Sequence, residues 1–141
     1  LLVQSTDDST VPAERWDLAI GQVPSQEMRE DLEFANRVVK HVKSNAVVVA
    51  AGLRTLGIGA GQMNRLDAAR IALSKAEGAA RGAVLASDGF LPFPDVVEEA
   101  AKAGIRAIVQ PGGSVRDRES VEAARVHGIT MFFTGRRHFR H

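Results

Sequence analysis

Chemistry in this chain would come from three loops marked by glycine and proline, and from a basic tail. The first loop, Gly57-Ile58-Gly59-Ala60-Gly61, runs on to Arg65 at the start of an apolar helical pattern. Closely spaced glycines let a backbone approach a ligand, and a helix start offers free N–H groups to an anion. The spacing is G-x-G-x-G rather than the dinucleotide G-x-G-x-x-G, and no Walker Lys-Ser/Thr pair follows. Tight-turn geometry is the simpler reading of the glycines alone. Arg65 adds a guanidinium fork suited to phosphate or carboxylate. The second loop, Ser87-Asp88-Gly89-Phe90-Leu91-Pro92-Phe93-Pro94-Asp95, sets two aromatics among two prolines. Phe90 and Phe93 either meet a flat ring or plug the core, and the plug is favoured on pattern. Asp95 reads as a helix N-cap. The third, Gln110-Pro111-Gly112-Gly113-Ser114, lies between a strand and a helix and is a candidate backbone nest, with capping by Ser114 or Asp117 its plainer role. The tail from Thr134 to His141 carries five basic or imidazole side chains; leaving the last strand directly, it suits an anion site better than a nucleic-acid surface.

These loops need a scaffold of alternating strands and helices. A short strand and a loop are expected before Trp16, then an extended piece over residues 17–20. Ser25 N-caps a helix running to about Lys43, with Leu32, Phe34, Ala35, Val38, Val39 and Val42 on its apolar side. Residues 46–51 read as a buried strand, Gly52 as a turn, and residues 55–58 as the hairpin partner. A helix follows from about Asn64 to Ala76. Strands are expected at residues 83–86, 107–110 and 130–133. Helices at 95–103 and 117–127 separate them, closed by Gly104 and Gly128. The alternation predicts an α/β fold of one domain, a sheet covered by helices. Ligands in such folds collect outside the C-terminal ends of the strands.

The composition agrees with a folded domain. The chain has 141 residues, 45% of them apolar and 25% charged, enough to build a core and too apolar for disorder. With 18 Lys+Arg against 17 Asp+Glu, no strong field points to nucleic acid or a membrane. The absence of cysteine removes disulfides, thiolate nucleophiles and Cys-based zinc sites. No H-E-x-x-H or other metal-ligand spacing is present. His41 and His127, on expected helices beside Lys and Arg, read as surface residues. The first residue is leucine and no leader pattern follows, so the start reads as the trimmed end of something longer.

Taken in order, these motifs, with Lys40-His41-Val42-Lys43-Ser44-Asn45-Ala46, Gln62-Met63-Asn64-Arg65 and the terminal Arg137-His138-Phe139-Arg140-His141, resemble the C-terminal end of the bifunctional purine biosynthesis family. That family joins AICAR transformylase to IMP cyclohydrolase. The resemblance runs over nearly the whole chain and is weakest before Trp16. It implies the C-terminal portion of the transformylase domain, of cytidine-deaminase-like three-layer fold without the zinc site. It implies formyl transfer from 10-formyltetrahydrofolate to the 5-amino group of AICAR. By motif, Asn45, Arg65, Phe90 and Arg137 would contact AICAR. Leu66, Asp95, Ser114 and Val115 would fall on the folate side. Asn45, Phe139 and His141 would serve catalysis, the last two in the motif that closes the site. Potassium would lie near Val39, Ser44 and Asp88, with no tightly bound cofactor. Val42 stands where the family often carries a hydroxyl residue. The family's catalytic Lys-His pair belongs to a segment N-terminal to this one, and Lys40-His41 is a different pair. The cyclohydrolase domain is absent as well, so the expected chain is part of a cytoplasmic homodimeric enzyme and inactive alone. The competing reading is a nucleotide- or phosphate-binding module without catalysis.

Overall fold

The computed structural model describes residues 11–135. The strand expected before Trp16 lies partly outside them. Residues 13–15 form a short 3-10 turn, and β1 (Asp17–Ile20) follows. Ser25 caps α1 (Gln26–Val39), its side chain accepting from the Met28 amide at 3.2 Å. Then come β2 (Val47–Ala51), β3 (Arg54–Gly59), α2 (Arg65–Ala76), β4 (Val84–Ser87), α3 (Asp95–Ala103), β5 (Ala107–Gln110), α4 (Asp117–His127) and β6 (Thr130–Phe133).

The six strands form one mixed sheet in the order β1-β6-β5-β4-β2-β3. β4, β5 and β6 are parallel, whereas β2 runs antiparallel to both β3 and β4, and β1 antiparallel to β6. Side chains alternate between the faces with the two-residue period of a strand. Val47, Val49, Leu85, Ile108 and Met131 enter a core shared with α2, α3 and α4. Val48, Ala50, Val84, Ala86, Val109 and Phe132 enter a second core, beneath α1 and Trp16. The central strands are apolar on both faces because helices cover both. The expected three-layer α/β architecture is what forms.

Two expectations need correcting. α1 stops at Val39 rather than near Lys43. Its last turn tightens through i→i−3 bonds, His41 N–H to Val38 O and Val42 N–H to Val39 O, and the Lys43 carbonyl is diverted to the Gly61 amide at 2.8 Å. The Gly57/Gly59 pair is not a phosphate loop, nor a tight turn. Both residues lie in β3, and a Cβ on either would stand 1.9 Å from a carbonyl oxygen of α2, Ala72 for Gly57 and Ala68 for Gly59. With Ala68, Ala69, Ala72 and Ala76 buried opposite, these glycines let a thin helix lie directly on the strand. α3 and α4 end as expected, with Gly104 and Gly128 left-handed at φ 89° and 69°.

Candidate active-site cleft

Because β2 runs antiparallel to β4, the start of β2 lies beside the end of β4: Val47 pairs with Ser87, and the Asp88 amide donates to Ala46 O at 3.2 Å. Asn45, the start of α2 and the loop after β4 therefore meet at one end of the sheet. They enclose a cleft of about 440 Å³ lined by Asn45, Arg65, Leu66, Phe90, Phe93 and Asp95, with Met63 and Asp67 among its other walls. Five positions separated by up to fifty residues in sequence, Asn45, Arg65, Leu66, Phe90 and Asp95, share this one space.

Each is held by local chemistry. The Ser44–Asn45 peptide is cis. Asn45 exchanges main-chain hydrogen bonds with Gln62, and its Nδ2 donates to Gln62 O at 3.1 Å. Asn64 caps α2 by accepting from the Asp67 amide at 2.8 Å. Arg65 Nε donates to Asp88 Oδ1 at 3.1 Å, with Asp88 fully buried. Gly89 makes room for this pair, since a Cβ there would lie 2.1 Å from Arg65 Nη2. The aromatic loop is pinned from behind by two buried polar side chains. Gln110 Oε1 accepts from the Leu91 amide at 3.0 Å, and Ser120 Oγ donates to the Leu91 carbonyl.

The core plug expected of Phe90 and Phe93 is Leu91, which is 1% exposed. Phe90 is half-buried in the cleft wall, and Phe93 is 47% exposed with the Arg116 guanidinium 4.5 Å from its ring centre. Asp95 is not an N-cap. Pro94 holds that position, and the Asp95 carboxylate accepts from the adjoining Val96 amide at 2.7 Å. The Gly113-Ser114 nest is already filled: the Asp117 carboxylate accepts from the amides of Gly113 at 2.8 Å and Ser114 at 3.1 Å. Ser114 Oγ in turn accepts from the Arg116 amide at 3.1 Å. Ser114 and Val115 do not line the cleft, and Val115 is fully exposed. Arg137, Phe139 and His141 lie outside the described residues. His41 and His127 are exposed, as expected.

Of the positions expected near potassium, Val39 is enclosed in the apolar core beneath α1, which leaves only its carbonyl as a ligand. Ser44 is half-buried. Asp88 fits a cation: its Oδ2 is buried and has no hydrogen-bond partner among the described residues, and a carboxylate oxygen is the donor type that hard cations take. Sequence reasoning missed Ser120 and Arg116, and read Gln110 only as part of a nest. Ser120 lies inside an unremarkable helical pattern, and only the fold brings it under the aromatic loop.

A larger cleft of about 670 Å³ lies at the opposite end of the parallel strands, lined by Gly21, Ser25, Arg106, Arg125 and Thr130 among others. It holds none of the residues singled out as ligand contacts. No helix among the described residues is long and apolar enough to cross a membrane.

Comparison with known proteins agrees with the family resemblance of the sequence. The bifunctional purine biosynthesis protein PurH of Desulfitobacterium hafniense (strain DSM 10664 / DCB-2) is 56% identical over 140 residues, 99% of this chain. PurH of Parasynechococcus marenigrum (strain WH8102) is 55% identical over the full 141 residues. The chain spans 27% of the length of each. Among solved structures, RibD of Acinetobacter baumannii (form 2) superposes on 76% of this chain and 34% of its own, with a TM-score of 0.49 and 22% identity. The model of the AICARFT/IMPCHase bienzyme family matches residues 1–75, and the chain belongs to that family.

Proposed function

We propose that this chain is the C-terminal portion of the transformylase domain of a cytosolic, homodimeric bienzyme, and that its 440 Å³ cleft holds AICAR against 10-formyltetrahydrofolate. The observation that carries this reading is the gathering of Asn45, Arg65, Phe90, Leu66 and Asp95 around one space. Asn45 spends one Nδ2 hydrogen on Gln62 O, which leaves its Oδ1 and second hydrogen to pair with the AICAR carboxamide. Arg65 keeps its terminal nitrogens for the nucleotide while Nε holds Asp88. Phe90 packs on the imidazole ring, and Arg137 adds a second guanidinium. Leu66 and Asp95 face the folate, with Ser114 and Val115 on the approach to it. Asp88 Oδ2 is the buried acceptor that potassium would take, with Ser44 and the Val39 carbonyl completing its surroundings.

In the transfer, the 5-amino nitrogen of AICAR bonds to the formyl carbon. The bond from that carbon to N10 of the folate breaks, and the amine proton passes to N10. Such a step needs a proton carrier within hydrogen-bond reach. Among the described residues the cleft lining contains no histidine or lysine; in this reading the carrier belongs to the remainder of the enzyme, and Phe139 and His141 to the motif that closes the site. The 141-residue chain alone is therefore expected to transfer no formyl group, and the full-length enzyme to do so. Within the full-length enzyme, Asn45→Ala should lower the transfer rate at least tenfold. Its unfolding free energy should fall only by the worth of one hydrogen bond, ~0.5–1.5 kcal/mol. Robust turnover by the isolated chain, or an Asn45→Ala enzyme with undiminished rate, would overturn the assignment.

A further inference from the structure

We propose that Arg116 is a specificity residue that receives the anionic glutamate tail of the cosubstrate at the lip of the cleft, exchanging an internal carboxylate, Glu119, for one of the ligand's. The inference rests on the reading of the cleft as a formyl-folate site and extends it to a residue that no motif marks. The aromatic loop carries a guanidinium at each end. Arg65 lies over Gly89 and is tied to the buried Asp88, so its Nε is committed to the interior. Arg116 lies over Phe93, a cleft-lining residue, with its side chain half exposed. Its amide is bonded to Ser114 Oγ, so its position is coupled to the segment that leads from β5 into α4.

The state of Arg116 suits exchange. Nε and Nη2 both donate to the Glu119 carboxylate, the second at 2.9 Å. That contact holds the guanidinium pKa above its ordinary value and Glu119 below its own, the hydrogen bond being the main cause for each. The pair is nonetheless solvent-exposed, and exposed ion pairs contribute little net stability, so a second carboxylate can displace the first at small cost. The planar fork accepts carboxylates bidentately, and stacking on Phe93 keeps its plane fixed while the partner changes. The carboxylates of Asp67 and Asp95, both in the cleft lining, disfavour an acidic tail lying deeper, so the charge pattern sends it outward to Arg116.

The test uses the full-length enzyme with two cosubstrates, 10-formyltetrahydrofolate and its formyl-tetrahydropteroate analogue, which lacks the glutamate. In Arg116→Gln the KM for the glutamylated cosubstrate should rise about fivefold, the size expected for one partly screened ionic contact. The KM for the tail-less analogue and kcat for both should stay at parental values. Glu119→Gln, which frees the guanidinium, should lower the KM of the glutamylated cosubstrate alone. A KM that rises equally for both cosubstrates would assign Arg116 to supporting Phe93 and overturn the proposal, as would no change for either. Absence of transfer by the parent enzyme with both cosubstrates would instead overturn the formyl-transfer reading beneath it.

Discussion

Gly59→Ala is expected to destabilise the domain by about 3 kcal/mol, the upper end for adding one methyl group to a packed interior. The new Cβ would stand 1.9 Å from the Ala68 carbonyl oxygen, a backbone atom of α2 that cannot swing away. Relief requires α2 to lift off β3, which would loosen the buried row Ala68, Ala69, Ala72 and Ala76. Gly57→Ala meets Ala72 O at the same 1.9 Å and should behave alike. Gly78→Ala, with open space around its added Cβ, should stay within about 0.5 kcal/mol of the parent. Urea unfolding followed by the fluorescence of Trp16 reads all three. A Gly59→Ala protein of parental stability that had lost anion binding would restore the phosphate-loop reading of these glycines.

Replacing Arg65 is expected to have two effects that must be separated. In Arg65→Ala the fully buried Asp88 carboxylate loses its ion-pair partner, and breaking a buried pair by removing one member costs ~3–5 kcal/mol because the other charge is stranded. Loss of AICAR binding in that variant would report unfolding as much as recognition. Arg65→Lys retains a cation for Asp88 but not the planar fork. It should melt near the parent while binding AICAR about tenfold more weakly, the equivalent of one charged hydrogen bond. Calorimetric titration of both variants, read against their melting temperatures, decides the matter. Parental AICAR affinity in a well-folded Arg65→Lys enzyme would remove Arg65 from the nucleotide site.

How much of this was legible before the fold depends on how local the cause is. α3, β5, α4 and β6 begin and end where the pattern places them, because a left-handed glycine stops each helix and a short apolar run defines each strand. The end of α1 was misplaced because a long-range bond, Gly61 N–H to Lys43 O, takes a carbonyl that the periodicity assigns to the helix. Glycines packed under a helix and glycines around a phosphate have the same spacing. Only the position of α2 distinguishes them. The pinning of the aromatic loop by Gln110 and Ser120 is likewise tertiary. For the cleft, each contributing segment was visible as an unusual loop, but their convergence required β2 to run against β4. The residues themselves point to no more than an anion held by loop backbone and arginines; AICAR and folate are what the family resemblance implies.

The central claim is that the nucleotide occupies the cleft at the end of β4 and not the larger one at the opposite end of the parallel strands. The position of AICAR in a crystal structure of the full-length enzyme tests it most directly. The account predicts the imidazole ring against Phe90, the carboxamide paired with Asn45, and a terminal nitrogen of Arg65 within hydrogen-bond distance of the ligand, all inside the space of about 440 Å³ at the end of β4. AICAR lodged instead beside Gly21, Arg106 and Thr130, in the cleft of about 670 Å³ at the other end of the strands, would contradict it.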